Sequence, residues 1–164
     1  MPEAGSIAVT GYGAVGRAVV AQLLARGTKV TLVQRSKPAG LPKGVAFKTT
    51  DLEDPKAAIE ACKGVEAVIC ATGLPYTVKA FSQDWPVVMT HLLAGCAASG
   101  ARFVFADNLY MYGPQTAPLR EDMPLTIPRG LAISRRRWSK VWRKRSRPIA
   151  RKPDGPCGRE WFSI

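Results

Sequence analysis

Three glycines, Gly11, Gly13 and Gly16, stand at G-x-G-x-x-G spacing in Gly11-Tyr12-Gly13-Ala14-Val15-Gly16. That spacing suits the binding of a pyrophosphate. The first glycine permits a tight turn out of a strand, the second lets backbone approach the phosphates, and the third allows a helix to pack closely on a sheet with its N-terminal amides facing the anion. Tyr12, Ala14 and Val15 come with the turn as cofactor contacts. About 20 residues further on, an NAD site carries an acid for the ribose 2′-hydroxyl. This chain reads Gln34-Arg35-Ser36-Lys37 there, and no carboxylate follows until Asp51. Arg35 can pair bidentately with a 2′-phosphate, and Ser36 and Lys37 add donors. The pattern favours NADP over NAD; the competing reading makes Arg35 and Lys37 an ordinary solvated loop.

Such a site needs a strand before the glycines and a helix after them. Ser6-Ile7-Ala8-Val9-Thr10 is short, apolar and partly β-branched, which predicts a buried strand. Val15, Val19 and Leu23, beside Gly16, Val20 and Leu24, form the stripe of a helix facing a sheet, and Arg26-Gly27 ends it. Lys29–Val33 then reads as a second buried strand. Strand, glycine turn, helix and strand in this order require a right-handed crossover and a parallel sheet. The alternation continues with a strand over Val45–Thr49 leading into Asp51-Leu52, and a helix over 55–62 capped by Asp54-Pro55. A fourth strand over Ala67–Ala71 ends in Thr72-Gly73, a helix follows over 83–98, and Arg102–Ala106 is the fifth strand. The expected fold is α/β, a doubly wound parallel sheet of order 3-2-1-4-5, whose strand ends bring Arg35, Asp51 and Thr72-Gly73 to one crevice.

The composition suits one ordinary domain: 164 residues, 46% apolar and 22% charged. Collagen-like, disulfide-framework and generally disordered classes are excluded. Cys62, Cys70, Cys96 and Cys157 are scattered, and His91 is the sole histidine, so no metal site is expected. His91 reads as a core-edge residue of an apolar helix, and Cys70 as a small hydrophobe in a strand. The Met1–Ser6 segment has no basic, apolar leader pattern, and no stretch reaches the roughly 18 apolar residues of a membrane span, so a reduced cytoplasmic protein is expected. The net charge of +12 is unevenly placed. Residues 1–128 hold 12 Lys+Arg and 10 Asp+Glu, whereas residues 129–164 hold 12 Lys+Arg against Asp154 and Glu160 alone.

Over about residues 6–135 the chain resembles the NAD(P)-dependent epimerase/dehydratase family, the extended or atypical branch of the short-chain dehydrogenases. The resemblance rests on the Gly11 turn, Asp51-Leu52, Ala71-Thr72-Gly73, the stretch from Phe103 to Pro114 that includes Tyr110-Met111-Tyr112-Gly113, and Glu121-Asp122-Met123-Pro124. It implies a Rossmann domain in which Asp51 and Leu52 flank the adenine and Ala71, Thr72 and Gly73 line the nicotinamide side. It also implies a nucleotide sugar or small carbonyl compound as substrate. Family enzymes use a Ser or Thr after the fifth strand and a Tyr-x-x-x-Lys pair on the next helix, the lysine lowering the tyrosine pKa for proton exchange. The hydroxyl position falls on Asn108, the pair falls near Leu131 and Arg135, and no tyrosine follows Tyr112. Asn108, Tyr110 and Tyr112 are the remaining catalytic candidates, with packing in the loop the competing role of Tyr112. Weak or lost catalysis is the expectation.

The sequence divides into a dinucleotide-binding part, 1–128, and a basic tail, 129–164. Four readings of the tail stay open, one of them an ordinary solvated, disordered terminus. The run over 134–152, with Trp138 and Trp142, suits RNA or single-stranded DNA, charges meeting phosphate and indoles stacking on bases. The two tryptophans also suit one face of a basic helix at an anionic membrane. An Arg-, Trp-, Pro- and Gly-rich peptide is also what GC-rich codons yield out of frame, which would make the domain a truncated one. On the nucleic-acid reading the chain is a non-catalytic NADPH sensor that contacts nucleic acid.

Overall fold

The computed structural model describes residues 5–107, 109, 112–120, 122 and 123. Asn108, Tyr110, Glu121, Pro124, the Leu131 and Arg135 positions and the whole 129–164 tail lie outside the described residues. The chain divides into two compact units, one of residues up to Pro75 with Val87–Ala106, the other of Tyr76–Pro86 with the residues from Asp107 onward.

The first unit is a five-stranded parallel sheet in the order β3-β2-β1-β4-β5, as the alternation of strand and helix patterns requires. The strands are β1 (Ser6–Thr10), β2 (Lys29–Gln34), β3 (Val45–Thr49), β4 (Ala67–Cys70) and β5 (Arg102–Phe105). The helices are α1 (Ala14–Ala25), α2 (Pro55–Ala61) and α3 (Trp85–Ser99), the last belonging to this unit from Val87 onward. Strand and helix ends match the sequence reading or depart from it by one or two residues, and the start of α3 carries an added feature. There a π-helical turn over Ala80–Asp84 precedes a helix that starts at Trp85 and runs through Ser99.

Local chemistry sets these limits. Asp54 caps α2 by accepting from the amides of Lys56 and Ala57, with Pro55 at the first helical position where a missing N–H is harmless. α1 ends at Gly27, whose φ of +72° closes the turn while the Gly27 and Thr28 amides bond the carbonyls of Leu24 and Leu23.

Register assigns the two faces of the sheet. Ile7 pairs with Val30 and Val9 with Leu32, so these residues share a face, and Val9, Val20 and Val30 form a buried cluster there under α1. Thr10 pairs with Val33 and Cys70, and Ala8 with Val68, on the opposite face, where right-handed crossovers place α2 and α3. Val88, Met89, Leu92, Cys62 and Cys96 are buried from those helices. One expectation is corrected: Val15 is 47% exposed, and the sheet-facing stripe of α1 starts at Gly16 and Val20. A residue in the first turn, beside the open end of the sheet, has no strand beneath it.

In the second unit Thr77 accepts from the Phe81 amide, its hydroxyl accepts from the Ala80 amide, and the Tyr76 and Phe81 rings meet edge to face at 5.3 Å. No helix among the described residues is long and apolar enough to cross a membrane.

Candidate nucleotide-binding site

The glycine turn follows from β1 being central. With β2 on one side and β4 on the other, the chain leaving Thr10 must turn between two occupied neighbours. Gly11 does so at φ +82°, its N–H donating to the Val33 carbonyl at 3.3 Å. A Cβ at Gly11 would lie 2.6 Å from the Ala71 carbonyl oxygen and 2.7 Å from Thr72 Cα, so only glycine fits. The turn is tied to the end of β4 a second time, by the Thr10 and Thr72 hydroxyls at 2.7 Å. Gly16 brings α1 down onto the turn, a Cβ there falling 2.1 Å from the Gly11 carbonyl oxygen. Gly13 is the opposite case: a Cβ there would meet nothing within 4 Å. Gly16 and Gly11 are therefore glycines for packing, and Gly13 faces open space.

That space has the electrostatics of an anion site. α1 starts at Ala14, and its first intrahelical bond is the Arg17 amide to the Gly13 carbonyl, which leaves the amides of Ala14, Val15 and Gly16 without a helical acceptor. No side chain caps this end and no acid stands in its first turn, so the positive end of the helix dipole is not compensated from within the helix. Arg17 adds a cation, its Nε donating to the Tyr12 carbonyl at 3.3 Å and its guanidinium lying 5.5 Å from the Tyr12 ring centroid.

The other expected residues lie at the carboxyl ends of the neighbouring strands. Arg35, Ser36 and Lys37 are exposed directly after β2, where the Gln34 side chain donates to the Ser36 carbonyl at 2.7 Å and shapes the turn. The Thr50 amide bonds the Gln34 carbonyl at 3.0 Å, so the loop after β3 is held beside them. In that loop Asp51 is exposed and accepts from the Glu53 amide at 3.0 Å, whereas Leu52 is 7% exposed. After β4, Ala71 and Thr72 are half-buried and Gly73 is exposed. The structure thus gathers Gly11 to Gly16, Arg35, Ser36, Asp51, Leu52 and Ala71 to Gly73 at one end of one sheet. Tyr112, the one described catalytic candidate, lies in the second unit, half-buried, its amide on the Leu109 carbonyl at 3.1 Å. Among the described residues no cluster of His, Cys, Asp and Glu suits a metal ion.

Two contributors were not legible as such. Arg17 directly follows Gly16, and the signal was a cation one helical turn beyond an aromatic residue of the glycine turn. His91 is the half-buried core-edge residue expected, but it also reaches the site, its Nδ1–H donating to the Leu52 carbonyl at 3.1 Å across 39 residues. A carbonyl can only accept, which fixes the hydrogen on Nδ1. His91→Ala is expected to lower the stability by about 1 kcal/mol, read as a lower urea midpoint at unchanged m-value.

Comparison with known proteins agrees with this geometry. The model of the NAD(P)H-binding family matches residues 11–143. None of the curated proteins matches the chain by sequence. The chain is similar to the crystal structure of a short-chain dehydrogenase/reductase superfamily protein from Agrobacterium tumefaciens with bound NAD, at 30% identity and TM-score 0.70, over 87% of this chain and 45% of that one. It shares its fold with UDP-N-acetylglucosamine 4-epimerase from Bacillus cereus, at 20% identity and TM-score 0.70, over 88% of this chain and 51% of that one. Uronate dehydrogenase from Agrobacterium tumefaciens is similar at 20% identity and TM-score 0.67, over 85% and 56% of the two chains. The chain spans about half the length of these solved structures. The match to most of the chain and the sheet that carries the glycine turn lead to one conclusion: the chain belongs to the NAD(P)H-binding family, its sheet folded in the Rossmann order.

Proposed function

We propose that the chain binds NADP(H) in preference to NAD(H), as the cofactor domain of an oxidoreductase for a nucleotide sugar or small carbonyl substrate. The observation that carries the preference is Arg35, exposed directly after β2 with Ser36 and Lys37, in a Gln34–Lys37 segment that contains no carboxylate. An acid there would repel a 2′-phosphate, whereas a guanidinium pairs with it through two parallel hydrogen bonds. The residues present fit the dinucleotide. Gly13 lets the pyrophosphate approach, the α1 amides and dipole hold it, Asp51 and Leu52 flank the adenine, and Ala71, Thr72 and Gly73 line the nicotinamide. When bound, the nicotinamide supplies or accepts a hydride. The names of the solved epimerase and uronate dehydrogenase support the substrate class.

Turnover is a separate matter. Proton exchange at a carbinol oxygen needs a tyrosine of lowered pKa, and no tyrosine follows Tyr112 in these 164 residues. The Tyr and Lys positions of the resemblance fall near Leu131 and Arg135, which leaves Asn108, Tyr110 and Tyr112 as candidates and makes weak or lost turnover the proposed behaviour of these 164 residues. The cytoplasm fits a protein whose described cysteines, Cys62, Cys70 and Cys96, are all free.

Calorimetric titration of the full chain with NADPH and NADH tests the reading. NADPH is expected to bind about tenfold or more tightly than NADH, and Arg35→Ala to remove that difference while leaving NADH unchanged, since an exposed charge-assisted pair contributes on the order of 1.4 kcal/mol. Equal affinities with no effect of Arg35→Ala overturn the NADP preference.

A further inference from the structure

The face of the sheet opposite α1 holds three cysteines that the nucleotide site does not use. Cys62 follows the last residue of α2, Cys96 lies on α3, and Cys70 ends β4. Cys70 is fully buried and bonded to Thr10 and Thr72, and burial pushes its thiol up, which makes it unreactive. Cys62 and Cys96 differ, because their sulfurs face each other at 3.9 Å across 34 residues of sequence. Their backbones are also close. Gly95 lets α3 approach so near that a Cβ there would lie 2.7 Å from Cys62 Sγ and 3.0 Å from Ile59 Cα.

We propose that Cys62 and Cys96 are a peroxide-oxidisable dithiol that closes into an internal disulfide joining α2 to α3. Contact between sulfurs must shorten to about 2.05 Å, and the helices are already close enough for this to need little backbone movement. Cys62 gives up its bond to the Ala58 carbonyl, now 3.2 Å long, when it turns. It is the attacking thiol, since the Cys96 S–H aimed at it and the Lys48 ammonium nearby hold it below its ordinary value against burial, whereas Cys96 is pushed up by its bond to Cys62 and by burial. Lys48 is fixed there by its bond to the Glu60 carbonyl at 3.0 Å.

The chemistry balances with hydrogen peroxide as oxidant. The Cys62 thiolate attacks a peroxide oxygen; an S–O bond forms, the O–O bond breaks, and the departing hydroxide takes a proton to leave as water. The Cys96 sulfur then attacks the Cys62 sulfenic acid; the S–S bond forms, the S–O bond breaks, and a second water leaves with the proton from Cys96. Two thiols lose two electrons and two protons, and one peroxide is reduced to two waters. Both sulfurs are buried, at 0% and 3% exposure, so oxidant enters through local opening of the seven-residue α2, and the reaction is slow beside that of an exposed thiol.

The test uses the full, unmutated chain. After hours in millimolar hydrogen peroxide, alkylation of the denatured protein and peptide mapping are expected to find a Cys62–Cys96 cross-linked peptide, with Cys70 still alkylated. The melting temperature should rise by about 5 °C or more, as for a disulfide closing a loop of this size, and fall back on treatment with dithiothreitol. Peroxide treatment in denaturant should scatter the pairing over all four cysteines, and Cys157→Ser should leave the native pairing intact. Recovery of both Cys62 and Cys96 as alkylated thiols overturns the proposal, as does their recovery as sulfinic acids or in bonds to other cysteines.

Discussion

Gly16→Ala is expected to lower the melting temperature by about 5–10 °C and to abolish NADPH binding. Helix propensity alone predicts the opposite, since alanine is better than glycine inside a helix by about 1 kcal/mol. Packing decides the sign. The new methyl would lie 2.1 Å from the Gly11 carbonyl oxygen, a backbone atom held by a turn that itself abuts Ala71 and Thr72. Neither side can yield locally, so α1 must move off the sheet, and overpacking of this kind costs about 1–3 kcal/mol or more. The same movement takes the Ala14, Val15 and Gly16 amides away from the phosphates. A melting temperature equal to or above that of the parent would show that α1 does not rest on the Gly11 turn.

Gly13→Ala should separate binding from folding. Its Cβ would meet nothing within 4 Å, and its φ of −74° with ψ −164° is extended backbone open to any residue. Stability should therefore change by no more than about 0.5 kcal/mol, the scale of a poorer N-cap. The methyl projects where the pyrophosphate approaches, and NADPH affinity should fall about a hundredfold or more, on the order of 2.7 kcal/mol. Differential scanning calorimetry and titration on the same sample read both quantities. Undiminished affinity would mean that the phosphates do not lie against Gly13.

The contrast between these glycines shows what a sequence can and cannot disclose. Their spacing, and a β-branched run before them, was enough to place the turn between β1 and α1 and to predict the parallel sheet in its observed order. Short apolar strands bounded by glycine leave few alternatives once crossovers must be right-handed. That Gly11 faces backbone depends on Ala71 and Thr72, just after β4, which arrive sixty residues later. Separations of 39 and 34 residues likewise hid the His91 bond to the Leu52 carbonyl and the meeting of Cys62 with Cys96, both products of how α3 packs. Val15 illustrates the converse error. Periodicity counts an apolar residue as core, but a first-turn position projects past the end of the sheet. The π-helical turn before α3 also escaped, since its sequence Ala80-Phe81-Ser82-Gln83-Asp84 fits an α-helix as well as it fits anything else.

The bond between Thr10 and Thr72 bears on the order in which the molecule can assemble. β1 and α1 leave the ribosome before β4, yet the floor of the glycine turn is made by residues after β4, and β1 reaches β4 only by closing a loop that already contains β2, β3 and α2. Long-range parallel pairing of this kind is slow, because the loop entropy is lost before the contacts form. The dinucleotide site is therefore a late product of folding: a nascent chain displaying the complete glycine motif has no pocket until the fourth strand docks, and cofactor can capture only molecules that have passed that step.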